Sequence, residues 1–119
     1  MLENITPIDN IPSFDWTILG MGEDGHTASL FNVDDNFITQ NLTTVTTCPK
    51  SGQKRISLSK KTLCASKYIT FLVAGKSKDE VVKAVLGKNK KSNDYPAARI
   101  KSNKGKTVWV IDIEAGELL

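Results

Sequence analysis

The run Tyr68-Ile69-Thr70-Phe71-Leu72-Val73-Ala74, closed by Gly75, constrains the fold more than any other part of the sequence. It is apolar nearly throughout, the pattern of a central strand covered on both faces. Such a strand needs partners along its edges and helices over its faces. Phe14–Leu19 and Thr107–Ile111 read as further strands, and Leu42–Thr47, rich in Thr and Val, as another. Ile56-Ser57-Leu58-Ser59 alternates apolar with polar residues, as a half-buried strand does, after a turn at Pro49, Ser51 and Gly52.

Helical signals lie between these strands. Ser77 with Glu80 three residues on is a capping-box pattern, Val81, Val82, Val85 and Leu86 follow at helical spacing, and Gly87 closes the segment. Lys60–Ser66 predicts a short helix, and His26–Phe31 one or two turns before the break at Asp34, Asp35 and Asn36. Gly87–Asn93 is a polar loop, Tyr95–Ile100 holds a Pro-Ala-Ala-Arg segment, and Glu114–Leu119 adds a last helical turn. Strands alternating with helices define an α/β fold whose sheet is mostly parallel with flanking helices. At 119 residues the chain suits one modest domain. Residues 14–119 form that domain, and residues 1–13, with Pro7 and Pro12, an irregular lead-in.

Charge and cysteine usage exclude several functions. The net charge of +3 is mild, and the basic residues of Lys50–Lys106 are interleaved with acids. That suits an anionic small substrate and falls short of a nucleic-acid footprint. Cys48 and Cys64 have no metal-ligand spacing, and there is one histidine, so a tetrahedral zinc site would need carboxylates from elsewhere. Two reduced thiols in a cytoplasmic protein account for them simply. No apolar run approaches the roughly 20 residues of a bilayer span, and the N-terminus lacks a signal-peptide pattern.

The chemistry concentrates in Gly20-Met21-Gly22-Glu23-Asp24-Gly25-His26-Thr27-Ala28-Ser29-Leu30-Phe31, which follows the strand ending at Leu19. Its first six residues fit G-x-G-x-x-G, the dinucleotide fingerprint. That motif requires an acid about 20 positions on for the ribose, and Thr43–Thr47 has none. Glu23 and Asp24 would also repel a pyrophosphate. The alternative is a loop that presents His26. Strand C-termini are where α/β sheets place active sites, and glycines let the backbone turn sharply and approach a ligand. A carboxylate two residues from an imidazole fixes its tautomer and raises its basicity, as a general base requires. The same pair also reads as a structural histidine bonded to Asp24. Thr27 and Ser29 offer hydroxyls to cap a helix or touch a ligand.

From Leu19 to Phe31 the sequence resembles the signature of the 6-phosphogluconolactonases. Further similarity follows in order: Lys54-Arg55-Ile56-Ser57-Leu58, then Phe71 to Lys78, Pro96-Ala97-Ala98-Arg99, and Trp109-Val110-Ile111-Asp112. The resemblance implies an α/β fold shared with sugar-phosphate isomerases. It also implies hydrolysis of 6-phospho-D-glucono-1,5-lactone to 6-phosphogluconate, the second step of the pentose phosphate pathway, without metal or organic cofactor. By resemblance His26 is the general base and Asp24 its partner. Gly22 and Gly25 belong to the substrate loop, and Arg55 and Lys78 hold the phosphate or the developing anion. Two cations suit a phosphate dianion.

Two departures stand out. Asn32 replaces the proline usual after Phe31, and the family's N-terminal half has no counterpart, so the chain resembles a C-terminal half alone. Such a half is expected to be weak or inactive by itself. Its uncovered sheet would drive self-association, and a folded but inactive binding module is a further reading. A sugar-phosphate isomerase or deaminase is another alternative. The resembling isomerases carry a glutamate where Phe31 stands, and Phe31 cannot move a proton. With two carboxylates in the glycine loop, a calorimetric titration should detect no NAD(P) binding; saturation at micromolar cofactor would overturn that expectation.

Overall fold

The computed structural model describes residues 7–8, 11–87 and 90–119. Seven strands and two α-helices follow in chain order among them: β1 (Pro7–Ile8), β2 (Ile11–Pro12), β3 (Trp16–Leu19), β4 (Thr43–Thr47), β5 (Lys54–Leu58), α1 (Lys60–Cys64), β6 (Tyr68–Val73), α2 (Asp79–Leu86) and β7 (Lys106–Ile111). The main sheet has the order β3-β6-β7, all parallel, with β6 in the centre. β4 and β5 form a separate antiparallel hairpin. The lead-in is less irregular than its prolines imply, because β1 and β2 pair antiparallel through Pro7↔Pro12 and Ile8↔Ile11. Residues 1–6 and 9–10 of the lead-in, and Lys88 and Asn89 of the polar loop, lie outside the described residues.

β6 is covered on one face only, which fits the uncovered sheet expected of a C-terminal half rather than the double cover its apolar run suggests by itself. Ile69, Phe71 and Val73 are buried beneath Leu63 of α1, Val81, Val82 and Val85 of α2, and Ala97 and Ile100. Each of the Val, Leu, Ile and Phe side chains among these contributes about 1.5–3 kcal/mol by leaving water. Phe71 also stacks on its register partner Trp109, with ring centroids 4.1 Å apart. Tyr68 and Leu72 point the other way and are exposed, as are Trp16 and Ile18 of β3 and Val108 and Val110 of β7. The sheet is therefore covered on one face only. Its other face is a continuous apolar surface, relieved by the bond from Trp16 Nε1 to Thr70 Oγ1 at 2.9 Å.

The hairpin inverts the expected polarity. Ile56 is 77% exposed while its neighbour Ser57 is 5% exposed, and Val45 lies outward while Thr46 is buried. The buried hydroxyls are satisfied: Thr46 Oγ1 donates to the Ser29 carbonyl at 2.6 Å, and Ser57 Oγ accepts from the Ser29 amide at 3.1 Å. The hairpin thus packs its polar side against the loop that follows β3.

The helix starts also differ. Ser59 caps α1, accepting from the Thr62 amide. Ser77 does not cap α2; it lies inside a 3₁₀ turn, Lys76–Lys78, and the N-cap position falls on Lys78 without a side-chain bond. The chain is held back at this point because the Gly75 amide is bound by the Asp112 carboxylate at 3.1 Å. No helix among the described residues is long and apolar enough to cross a membrane.

The packing separates the two thiols. Burial pushes the Cys64 thiol up from its ordinary value, while hydrogen bonding from Ser51 holds the half-buried Cys48 thiol down. Limiting iodoacetamide at neutral pH should therefore alkylate Cys48 and spare Cys64. Equal labelling in the folded chain would show that α1 is not packed as described.

Candidate active site

The parallel register of β3 on β6, with Leu19 opposite Phe71, brings the loops after both strands to one end of the sheet. There Gly20, Met21, Gly22, His26, Thr27, Ala28 and Lys78 line a cleft of about 570 Å³ together with Ile18 and Leu19. His26 and Lys78, 52 positions apart in sequence, are brought to one hollow by this pairing. Ile18 belongs to the uncovered face, so the cleft opens directly onto it.

His26 is held by Asp24. Its Nδ1 lies 2.5 Å from Asp24 Oδ1, and its backbone amide donates to the same oxygen at 3.2 Å. The loop closes on itself through the Gly22 amide to the His26 carbonyl and the Gly25 amide to the Gly22 carbonyl, both 2.9 Å. Gly22 is glycine for a steric reason: a Cβ there would overlap the His26 ring and stand 2.7 Å from Asp24 Oδ1. Gly25 has φ of 81°, and a Cβ on it would run into the Tyr95 ring. Burial by itself would raise the Asp24 carboxyl. The hydrogen bonds and charge of His26 outweigh that effect and hold it below its ordinary value.

The predicted helix over His26–Phe31 is absent. Ala28 has φ of 51°, outside the helical region, and the Leu30 amide bonds back to the Thr27 carbonyl at 2.9 Å in a tight turn. Tertiary bonds hold this geometry. The buried Thr27 hydroxyl donates to the Gly20 carbonyl at 2.8 Å, so it neither caps a helix nor remains free for a ligand. Ser29 is fixed through its backbone by Ser57 and Thr46.

Lys78 also meets the loop, its Nζ donating to the Met21 carbonyl at 2.6 Å. An ammonium has three protons, so two remain for a ligand. Arg55 is placed elsewhere. It does not line the cleft, and its guanidinium donates to Gln53 Oε1 at 3.4 Å. It does share the inward side of β5 with Ser57, two residues and about 7 Å along the strand. Sequence reasoning weighed Phe31 only as a residue that cannot move a proton and missed its packing on His26, with ring centroids 4.8 Å apart, as it missed the Met21 carbonyl and Tyr95 against Gly25. Met21 and Phe31 lie within the signature and Tyr95 outside it, but spacing alone shows none of these contacts, which only the fold makes. A second hollow, of about 400 Å³, is lined by Lys60, Lys61, Arg99 and Lys101 but holds no general base. Among the described residues no group of three or more His, Cys, Asp or Glu side chains could hold a metal ion.

The family model of glucosamine-6-phosphate isomerases and 6-phosphogluconolactonases matches residues 1–109. A 6-phosphogluconolactonase of Haemophilus influenzae is 47% identical over 106 residues, covering 89% of this chain and 46% of the relative. The crystal structure of a devB protein superposes with a TM-score of 0.90 at 41% identity, over 98% of this chain and 49% of that one. A 6-phosphogluconolactonase from Leishmania guyanensis superposes with a TM-score of 0.79 at 28% identity, over 98% of this chain and 48% of its own. The chain spans about half the length of the relatives it matches.

The His26–Asp24 pair has a checkable electrostatic consequence. Asp24 loses stability to acid only as pH falls through its lowered folded-state value, and its contribution is fully present above the ordinary aspartate range. In a His26→Ala variant the ring's effect is gone while burial persists. The Asp24 midpoint in a carbon-detected NMR titration should therefore rise. An unchanged midpoint would show that another group holds the carboxylate.

Proposed function

The chain belongs to the glucosamine-6-phosphate isomerase and 6-phosphogluconolactonase family, and on that premise we propose that it carries the catalytic base of a 6-phosphogluconolactonase. The reaction is hydrolysis of 6-phospho-D-glucono-1,5-lactone to 6-phosphogluconate. One observation carries this reading: His26 lines the cleft with Nδ1 committed to Asp24, which leaves Nε2 as the nitrogen available to a substrate.

Nε2 takes a proton from water as the water oxygen bonds to the lactone carbonyl carbon. The carbonyl becomes a tetrahedral oxyanion. Asp24 stabilises the imidazolium that forms, as a carboxylate beside a catalytic histidine does. The oxyanion then collapses, the bond from that carbon to the ring oxygen breaks, and the ring oxygen takes the proton back from Nε2. Water is added across the ester, and the histidine returns to its starting state. Lys78, which lines the same cleft, is the cation we assign to the phosphate or the oxyanion. Arg55 would act from the hairpin side, on a part of the substrate that extends beyond the cleft.

The isomerase or deaminase alternative is disfavoured by Phe31. The position beside His26 where such enzymes carry a proton-moving glutamate holds an apolar ring.

The cleft opens past Ile18 onto a sheet face that is apolar and uncovered. We infer that the chain alone binds substrate loosely and self-associates through that face. Since positioning supplies much of the barrier reduction, the purified chain should hydrolyse the lactone at well under about a hundredth of the rate of a complete family member. In a complete protein carrying this half, His26→Ala should lower turnover about 10²–10⁴-fold with little change in folding. Both rates are read after subtracting spontaneous lactone hydrolysis. Near-normal turnover in the His26→Ala protein would refute the assignment.

A further inference from the structure

A single hydrogen bond fixes a point on an imidazole, not its plane. The bond from Asp24 anchors Nδ1 of His26, and about that anchor the ring is still able to pivot. The second contact is Phe31, with ring centroids 4.8 Å apart and planes inclined at 41°. This geometry is within the range of favourable aromatic pairs. We propose that Phe31 is a positioning residue, which sets the plane of His26 so that Nδ1 stays on Asp24 and Nε2 stays toward the cleft.

The local backbone is built to make this contact. In a helix, residues five apart lie about 140° from each other around the axis and do not meet. The left-handed Ala28 replaces that helix by a tight turn and swings Phe31 back onto His26. A non-glycine residue at positive φ persists only where the surroundings over-determine it. Here the surroundings are named: Thr27 is tied to Gly20, Ser29 to Ser57 and Thr46, and the Leu30 side chain is fully buried. The buried hydroxyls of the hairpin thus act on His26 through the Ser29 backbone and Phe31. Gly22 supplies the clearance, since any side chain there would occupy the position of the ring.

This role presupposes the reading of His26 as the base, but its test does not. His26 is the only histidine of the chain, so its ring nitrogens are assigned without ambiguity in the uniformly ¹⁵N-labelled protein. The measurement is made at about pH 8, above the ordinary imidazole range. Wild type and Phe31→Tyr, which keeps the ring, should show two widely separated ring-nitrogen resonances, the signature of one tautomer protonated at Nδ1. Phe31→Met keeps the apolar volume but has no plane, and its two resonances should converge toward their mean as the second tautomer becomes populated. Phe31→Leu is the second variant should methionine disorder the turn, as judged from the amide spectrum. Convergence in the Met or Leu variant with retention in Tyr supports the role; convergence in neither, or in Tyr as well, overturns it. In a complete lactonase the Met variant should lose up to about a hundredfold in kcat with KM unchanged. Convergence without that loss would count against His26 as the base while leaving its positioning by Phe31 in place.

Discussion

The parallel pairing of β3 with β6 is the constraint on which the rest of the molecule depends. It joins segments 52 residues apart, with Trp16 opposite Tyr68 and Leu19 opposite Phe71. Side chains along a strand alternate with a period of two, so a slip of one residue would turn Ile69, Phe71 and Val73 out of the core. The register is therefore fixed by the helices that cover these three residues. Because the strands are parallel, fixing the register also fixes which loops meet. The glycine loop and the segment carrying Lys78 both leave the sheet at the same end, and the bond from Lys78 to the Met21 carbonyl joins them.

The hairpin of β4 and β5 serves the same end by different means. Its apolar residues face outward and its hydroxyls inward. As a piece of hydrophobic core this arrangement is poor. As a clamp it is apt, because the turn at Thr27–Leu30 presents backbone groups that need partners, and Thr46 and Ser57 provide them. A buried backbone amide or carbonyl left unpaired would cost on the order of a hydrogen bond. Replacing those hydroxyls with methyl groups would improve the hydrophobic pattern of β4 and β5 and leave Ser29 unsatisfied.

Much of this was legible in the sequence, and the exceptions share a physical cause. The strands at Trp16–Leu19, Thr43–Thr47, Tyr68–Val73 and Lys106–Ile111, both helices, and the His26–Asp24 pair follow from local pattern and spacing. The misreadings arise where a distant group overrides a local preference. Residues 26–31 have no strong helix breaker, yet Ser57 and Thr46, contributed by strands further along the chain, impose a turn with Ala28 left-handed. Ser77 has the spacing of a cap, but Asp112 holds the preceding Gly75 and a 3₁₀ turn results. Tyr68–Val73 is apolar on both sides, the pattern of a doubly covered strand, but the shortage of helical segments in the sequence already implied the open face that the structure has. Arg55 was assigned by resemblance, which carries no information on its distance from His26; it stands on the hairpin, outside the cleft that His26 and Lys78 line.

Orienting His26 and enclosing the cleft beside it are separable tasks, and this chain divides them. Every contact that orients His26 comes from within its own residues: Asp24 on Nδ1, Phe31 against the ring, Gly22 giving clearance, and the hairpin behind the turn. None of these contacts involves the exposed side chains of the open sheet face. Orientation of the imidazole is therefore set locally, by hydrogen bonds and packing that survive whatever covers that face. Enclosure is another matter. The cleft runs out at Ile18 onto apolar surface, and an oxyanion there would stand against bulk water, where a cation such as Lys78 counts for far less than in a dry site. On the proposed reading of His26 as a base, the uncovered face limits what the oriented histidine can achieve, because a base without a water-excluding wall retains its geometry and loses most of its electrostatic advantage.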